Sequence, residues 1–177
     1  VGTDGKNPLL LVENAVWGTW RPSGDSIVFA RGPKVFIKSL VTGDEKELFD
    51  AGESIKKGTN AQQPSLSPDG TLLAVTLRGS KRDCGIWNFA KKEWYSFGGG
   101  CEIVFFPKGD RVLRVNEGQG NGSTEILAIP IDRDGKPTVK LGGMGIAKEI
   151  RFMDLPGRRS HEYFPKLDQS GKWMVWA

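Results

Sequence analysis

The stretch SLSPDGTLLAV, Ser65 to Val75, decides the fold of this chain, because its pattern recurs along the 177 residues. Its centre is the tight polar turn Pro68-Asp69-Gly70, which stands between two short apolar runs. Proline presets φ for the first turn position and glycine takes up a positive φ, so the stretch predicts a hairpin of two antiparallel strands. Apolar residues occupy both faces of these strands, as is typical of a sheet packed between two neighbouring sheets.

Four segments share this pattern, and each has a glycine at its turn. The turn glycines are Gly24, Gly70, Gly109 and Gly171, so consecutive turns are separated by 46, 39 and 62 residues. The fourth segment has Gln169 where the other three have proline. The segments are WGTWRPSGDSIVFA (17–30), QPSLSPDGTLLAVT (63–76), EIVFFPKGDRVLRV (102–115) and FPKLDQSGKWMVWA (164–177).

Each complete repeat supplies two further strands before the next turn. These predicted strands are 34–40 and 45–50, then 84–90 and 93–97, then 124–131 and 138–142. Four strands in about 40–45 residues are the signature of a propeller blade among repeat architectures. The sequence therefore predicts an all-β protein, a β-propeller built of four-stranded antiparallel blades, with about four blade units of which the last is incomplete.

The predicted blade units are 14–60, 61–98, 99–142 and 161–177. Residues 143–160 are predicted to be an inserted long loop, either without regular structure or with one extra short strand or helical turn. Residues 8–13, PLLLVE, are predicted to be the outer strand of a preceding or closing blade. Since a ring needs at least four full blades, we expect a larger propeller of six or seven blades, or an incomplete one. The chain begins with valine, so we expect either that a leader has been removed or that this is an excised piece.

The second repeat carries a resemblance to a known family. PSLSPDGTLLAVT, followed by IWNFAKKEW, resembles the TolB-type WD-repeat-like β-propeller family, whose blades carry an S-P-D-G hairpin. The first repeat departs from this motif with Pro22-Ser23-Gly24 and the third with Pro107-Lys108-Gly109. The resemblance implies a bacterial cell-envelope setting, periplasmic or exported, and a propeller that binds a protein or peptide partner. It is informative about the fold more than the activity, because propellers host many functions.

The charge balance is mildly basic. There are 25 lysines and arginines against 21 aspartates and glutamates, a net charge of +4. This favours an anionic partner, but the chain lacks the clustered basic stripe of a nucleic-acid domain, so we predict no nucleic-acid binding. The longest aliphatic run, Leu9 to Val12, is too short to span a bilayer, so we predict no membrane span.

The meander of a blade predicts which loops share a face. The four turns lie on one face, the turn face, which mixes charges. The opposite face, the loop face, collects the other loops, whose basic residues outnumber Glu53, Asp83 and Glu117. We predict that the loop face binds an anionic partner; solvated charges without a partner are the alternative. The predicted binding residues are Arg31, Lys34, Arg78, Lys81, Arg82, Arg158, Arg159 and His161, and Lys56 and Lys57 lie on the same face.

Candidate catalytic and metal-ligating residues are few. His161 is the single histidine and no G-x-S-x-G motif is present, so we predict no catalytic residue and no enzyme activity for this chain. Asp132 and Asp134 resemble the start of a calcium loop, but Gly143 stands where its last carboxylate would be, and D-x-D-G also forms a hairpin turn. One histidine and two cysteines are too few for a zinc site. We therefore predict no metal and no cofactor.

The cysteines and tryptophans each permit two interpretations. Cys84 and Cys101 are predicted to open strands that run parallel in neighbouring blades. They form either a disulfide in an oxidising compartment, if their Cα atoms lie within about 7 Å, or two free and mostly buried thiols. The six tryptophans either stack on sugars or, as we favour, mostly fill the space between blades.

The leading functional prediction is non-catalytic binding of a protein or peptide on a rigid propeller platform of the bacterial cell envelope. The alternative is the propeller that gates a serine peptidase of the prolyl-oligopeptidase kind, with the catalytic domain outside this chain. A third prediction, a carbohydrate-binding propeller, depends only on the aromatic residues.

Overall fold

The computed structural model describes residues 9–21, 23–117, 124–141, 150–153 and 166–175. These residues form three four-stranded antiparallel sheets and one two-stranded hairpin, which are successive blades of a β-propeller. In each four-stranded sheet the strands pair in sequence order, and no sheet closes on itself. The predicted all-β propeller fold, with four blade units and an incomplete last one, is therefore confirmed.

The strands follow the repeat. The first blade contains β1 (Val16–Trp20), β2 (Ser26–Arg31), β3 (Lys34–Ser39) and β4 (Glu45–Asp50), followed by the helical turn α1 (Ala51–Ser54). The second contains β5 (Asn60–Leu66), β6 (Leu72–Arg78), β7 (Arg82–Asn88) and β8 (Glu93–Ser96). The third contains β9 (Cys101–Phe105), β10 (Arg111–Glu117), β11 (Thr124–Pro130) and β12 (Ile150–Met153). The fourth contains β13 (Lys166–Leu167) and β14 (Met174–Val175).

The outer strand of the third blade differs from the prediction. Residues 138–141 form no strand, and β11 pairs instead with β12. This short strand lies inside the inserted segment 143–160, for which one extra short strand was among the expected alternatives. Pro137 makes only an isolated bridge, since proline has no N–H with which to extend a ladder. Val139 and Leu141 then pack against the apolar core between the second and third blades. The apolar residues that predicted a strand therefore fill a core instead.

Three apolar cores join the blades face to face. The core between the first and second blades contains Val28, Val35 and Phe49 from one sheet and Leu73, Val75 and Trp87 from the other. A second core joins Ile86 and Phe97 to Ile103, Leu127 and Ile129, and a third joins Leu113 and Ile126 to Leu167 and Met174. Each fully buried aliphatic or aromatic side chain contributes about 1.5–3 kcal/mol, so these cores stabilise the packing of each blade on the next.

The predicted outer strand at residues 8–13 is not a strand in the described part, which starts at residue 9. Lys38 Nζ donates a hydrogen bond to the Leu11 carbonyl at 3.0 Å. Arg31 Nε and Nη2 donate to the Glu13 carbonyl at 3.3 and 3.2 Å. The segment thus lies against the first blade, and its pairing with a preceding or closing blade stays a prediction.

Candidate functional site

The turn face is built by hairpin turns that touch one another. In the second repeat Ser67 Oγ donates to Asp69 Oδ1 at 2.6 Å and accepts from the Leu72 N–H at 2.9 Å, which closes the turn. Gly109 has a φ of +71°, and a Cβ on it would lie 3.4 Å from Pro68 Cδ in the preceding repeat. A Cβ on Gly171 would likewise lie 3.4 Å from Pro107 Cδ of the preceding repeat. The turn glycines therefore serve both the turn conformation and the close contact between successive blades.

The innermost strands carry a second repeated feature, which the sequence analysis missed. Trp17, Gln63 and Glu102 have φ values of +58°, +53° and +51°, in the left-handed region that non-glycine residues rarely occupy. Each stands seven residues before its turn glycine, and the pairing register shifts at each of them. A β-bulge therefore occurs at the same place in three blades. The three residues share no chemical type, so the sequence offered no signal for it.

The bulges link neighbouring blades. Gln63 Oε1 and Thr76 Oγ1 accept hydrogen bonds from the Glu102 N–H at 3.1 and 2.9 Å. The Glu102 side chain is buried, and its Oε1 pairs with Lys166 Nζ of the fourth blade at 3.2 Å. These polar contacts tie the second, third and fourth blades along their innermost strands.

The innermost hairpins of all four repeats enclose a cleft on the turn-face side with a volume of about 940 Å³. Trp20 is 59 % exposed there, and Arg21 Nη2 donates to the Pro68 carbonyl at 3.3 Å across the first two blades. The walls combine apolar and polar side chains. The lining includes Thr19, Trp20, Arg21, Leu66, Phe105, Phe106, Lys166, Leu167, Asp168 and Gln169.

Two of the predicted binding residues on the loop face have acidic partners in their own sheet. Arg31 forms a salt bridge with Glu45, and its guanidinium lies 5.0 Å from the centre of the Phe29 ring. Lys34 Nζ lies 2.8 Å from Glu47 Oε2 and 3.4 Å from Asp50 Oδ2, and these contacts raise the pKa of Lys34. These two cations therefore have acidic partners within the first blade, and their role in binding a partner stays a prediction.

The remaining predicted residues divide into two groups. Arg78 and Lys81 are exposed at the end of β6 and in the β6–β7 turn, and Arg82 is half-buried opposite Arg78 in the pairing of β6 with β7. Their charges stand on the loop face, as the meander predicts. The others, Arg158, Arg159 and His161, lie outside the described residues.

Cys84 and Cys101 are both buried, and the structure shows them as thiols that are not joined by a disulfide. Burial raises the pKa of the Cys84 thiol to about 12, and its Sγ donates to the Gly98 carbonyl at 3.4 Å. A thiol with this pKa is protonated and unreactive at neutral pH. A disulfide between Cys84 and Cys101 in an oxidising compartment stays a prediction.

The D-x-D-G segment is a hairpin turn. Asp132 Oδ1 accepts hydrogen bonds from the N–H groups of Asp134 and Lys136, both at 2.9 Å. The Asp134 carboxylate pairs with Lys91 Nζ of the second blade at 2.7 Å. Both carboxylates thus have structural partners, and the described part of the chain contains no group of three residues suited to hold a metal ion.

The tryptophans divide into buried and exposed side chains, and stacking on sugars stays a prediction. Trp87 is buried in the first core, with its ring centre 5.3 Å from that of Phe49. Trp94 packs against the same core and donates its Nε1–H to Asp83 Oδ2 at 3.1 Å. Trp17, Trp20 and Trp173 are instead exposed, and Trp20 alone of these lines the cleft.

No protein-family model and no curated protein matches this sequence. Among solved structures the chain is similar to TolB from Acinetobacter baumannii, with a TM-score of 0.70 and 18% identity over 98% of this chain and 41% of that chain. It is also similar to prolyl endopeptidases, with a TM-score of 0.58 and 13% identity over 92% of this chain and 26% of that chain. A chain of a mitotic checkpoint complex matches with a TM-score of 0.53 and 14% identity, over 92% and 45% of the two chains.

These likenesses identify the fold as a TolB-like β-propeller. The chain spans about two-fifths of the length of the TolB chain, that is 41%. In the described residues no helix combines the length and apolar character needed to cross a bilayer.

Proposed function

We propose that this chain is part of a non-catalytic β-propeller of the bacterial cell envelope that holds a protein or peptide partner. The observation that carries the proposal is the cleft, where the innermost hairpins of four repeats surround about 940 Å³ of open space. Its exposed Trp20 is of the residue type that most often anchors protein interfaces. The resemblance of fold to TolB supports the envelope setting.

The cleft walls are rigid, which supports a binding role. The glycine–proline contacts between turns and the Gln63–Glu102–Lys166 contacts join the hairpins of the second, third and fourth repeats. The hydrogen bond from Arg21 to the Pro68 carbonyl links the first hairpin to the second. A partner that enters a preformed cleft loses less free energy to ordering of the site than one that must first organise flexible loops. A rigid propeller therefore suits recognition by shape, with Trp20 as the apolar anchor.

Trp20→Ala tests this proposal, and Trp173→Ala is its matched control. Both tryptophans are exposed, at 59 % and 76 %, but Trp173 does not line the cleft. We would select peptides on the intact protein from a displayed random library and measure their affinities by titration calorimetry. Loss of an interface tryptophan costs about 2 kcal/mol or more, so we expect Trp20→Ala to weaken binding roughly thirtyfold. Equal effects of the two substitutions, or none, would count against the cleft.

A second candidate function, the gating propeller of a serine peptidase, is supported by the likeness of fold to prolyl endopeptidases. In that case the intact protein carries a nucleophilic serine in a separate domain. A fluorophosphonate probe, which labels activated serines, would modify the intact protein in this case and leave a binding platform unlabelled. Carbohydrate binding, the third function, would use the same Trp20; quenching of its fluorescence by added oligosaccharides is the corresponding test.

A further inference from the structure

The loop face of the first two blades carries four cations that form no salt bridge with an acidic residue in the described part of the chain. Lys56 and Lys57 follow α1, Arg78 ends β6, and Lys81 stands in the β6–β7 turn. All four are exposed, and none of them forms a salt bridge with another described residue. We call these four residues the basic rim.

Two loops from different blades meet to form the basic rim. Arg78 pairs with Asn60 across β5 and β6, which brings the end of β6 beside the segment that follows α1. A Cβ on Gly79 would lie 3.0 Å from Thr59 Oγ1, so the β6–β7 turn touches the residues that follow Lys57. The cations of the first blade thus stand next to those of the second.

The backbone holds both loops in place. The Lys56 N–H donates to the Ala51 carbonyl at 3.0 Å, and the Thr59 N–H donates to the Lys56 carbonyl at 3.2 Å. Thr59 is buried, and Ile55 packs against the first inter-blade core. The Gly79 N–H donates to the Lys81 carbonyl at 3.3 Å and closes the other loop. The backbone positions that carry the four cations are therefore fixed relative to one another before any partner arrives.

We propose that the basic rim binds an extended, aspartate- and glutamate-rich segment of a partner protein. Carboxylates form strong charge-assisted hydrogen bonds with lysine and arginine, and complementary charge speeds association and sets register. This surface lies on the face opposite the cleft, because the two ends of β6 point to opposite faces. The inference is therefore independent of binding in the cleft, and either can fail alone.

The neighbouring acidic residues do not neutralise the positive charge of the basic rim. Asp83 Oδ2 and Oδ1 accept hydrogen bonds from Trp94 Nε1 at 3.1 Å and from Ser96 Oγ at 2.7 Å, which direct this carboxylate toward β8. Glu53, in the first turn of α1, is exposed and receives no ion pair from the rim. The four cations of the basic rim therefore outnumber the solvated carboxylate of Glu53.

A peptide fits this surface better than a nucleic acid or a membrane. The rim occupies two short loops, whereas nucleic-acid surfaces extend positive charge along a stripe and often add aromatic side chains for base stacking. The segments 56–59 and 78–82, KKGT and RGSKR, contain no aromatic residue. They also contain no large apolar residue that could enter a lipid headgroup layer.

The test measures binding of a fluorescein-labelled peptide of glutamates spaced by glycines, with the same peptide in glutamine as the control. The intact protein is titrated at about 0.01 M and about 0.15 M salt, between which the Debye length falls from about 30 to about 8 Å. Lys56→Glu/Arg78→Glu reverses two charges of the rim. Lys108→Glu/Lys172→Glu reverses two exposed charges on the turn face and is matched in net charge.

We expect the glutamate peptide to bind and the glutamine peptide not to bind. Binding of the glutamate peptide should be weaker at the higher salt concentration. The rim variant should bind it about tenfold more weakly and the turn-face variant within about twofold, since local pairs and not net charge determine the affinity. Lys57→Gln/Lys81→Gln, which only neutralises charge, should weaken binding by about threefold. Thermal melting of each variant separates these effects from loss of fold.

Four results would overturn the proposal. The first two are absence of peptide binding at low salt and equal binding of the glutamate and glutamine peptides. The third is equal weakening of peptide binding by the rim and turn-face variants. The fourth is rim-dependent binding of single-stranded DNA or anionic vesicles that is tighter than binding of the peptide. Retained peptide binding in Trp20→Ala separates this surface from the cleft.

Discussion

Gly85 is the position in the second blade where an added methyl group would meet the backbone. It lies in β7 opposite Ser96, under the β8 residues Trp94 and Tyr95. A Cβ on Gly85 would lie 2.2 Å from the Tyr95 carbonyl oxygen and 2.6 Å from Trp94 Cζ2. The indole is itself held by the hydrogen bond from Nε1 to Asp83 Oδ2. Neither neighbour can therefore move by a simple side-chain rotation.

The size of the effect follows from these distances. The contact with the carbonyl is short of ordinary van der Waals separation by 3.4 − 2.2 = 1.2 Å, so β8 must shift away from β7. Overpacking in a well-packed site costs typically 1–3 kcal/mol, and a backbone obstacle places Gly85→Ala near the upper end, at about 3 kcal/mol. For a chain of 177 residues, this lowers Tm by roughly 6–12 °C.

Urea unfolding, followed by far-ultraviolet circular dichroism and by tryptophan fluorescence, measures this loss. Gly18→Ala is the control, because Gly18 is also in a strand but nothing lies within 4 Å of its Cβ position. We expect a lower midpoint for Gly85→Ala with an unchanged slope, and a Gly18→Ala curve within about 0.5 kcal/mol of the parent. If Gly85→Ala has the same urea midpoint as Gly18→Ala, then Trp94 and the Tyr95 carbonyl do not pack over β7 at these distances.

Two further predictions concern titration. The Asp69 carboxylate accepts hydrogen bonds from Ser67 Oγ, which has the larger effect, and from the Thr71 N–H, and these bonds hold its pKa below 3.8. A carboxyl whose pKa is lower in the folded than in the unfolded state stabilises the fold at pH values above the unfolded pKa. This stabilisation is lost as the pH falls through the folded pKa. Chemical denaturation between about pH 6 and pH 3 should therefore show a smaller loss of stability in Asp69→Asn than in the parent, and equal losses would contradict the turn geometry. Burial raises the pKa of the Cys84 thiol from 9.0 to about 12. The contribution of this thiol to the free energy of unfolding is therefore fully present below about pH 9 and declines as the pH rises toward 12. Under reducing conditions followed by desalting, a disulfide reagent at pH 8 should modify Cys84 only as fast as the protein unfolds; rapid modification of the folded protein, compared with Cys84→Ala, would mean that the thiol is accessible.

Much of the fold could be predicted because its signals are local. The turn at Pro68-Asp69-Gly70 needs only a fixed φ, a small polar residue and a glycine, all within three residues. The strand β4 at Glu45–Asp50 matches the predicted range because its ends are marked by nearby turn residues. The outer strand of the third blade was missed for the opposite reason, since Val139 and Leu141 are apolar in sequence whether they enter a sheet or a core.

The candidate sites depended on contacts that no local pattern records. Sequence analysis identified Arg31 and Lys34 as binding cations, but Glu45, Glu47 and Asp50 of the adjacent strand pair with them. Cross-strand pairing decided which cations have acidic neighbours, and sequence separation did not reveal it. The cleft was not predicted at all, because its walls come from four repeats that meet only in the folded propeller.

By itself the sequence determined the repeat, the innermost hairpins and therefore the all-β propeller, because turn chemistry and alternating apolar residues act within a few positions. Only the tertiary structure decided the bulges at Trp17, Gln63 and Glu102, which occur at residues of different chemical type. It alone brought Lys56 and Lys57 beside Arg78 and Lys81. Strand pairing and contacts between neighbouring loops create these features, and both join residues that are far apart in the sequence, beyond the reach of local propensity.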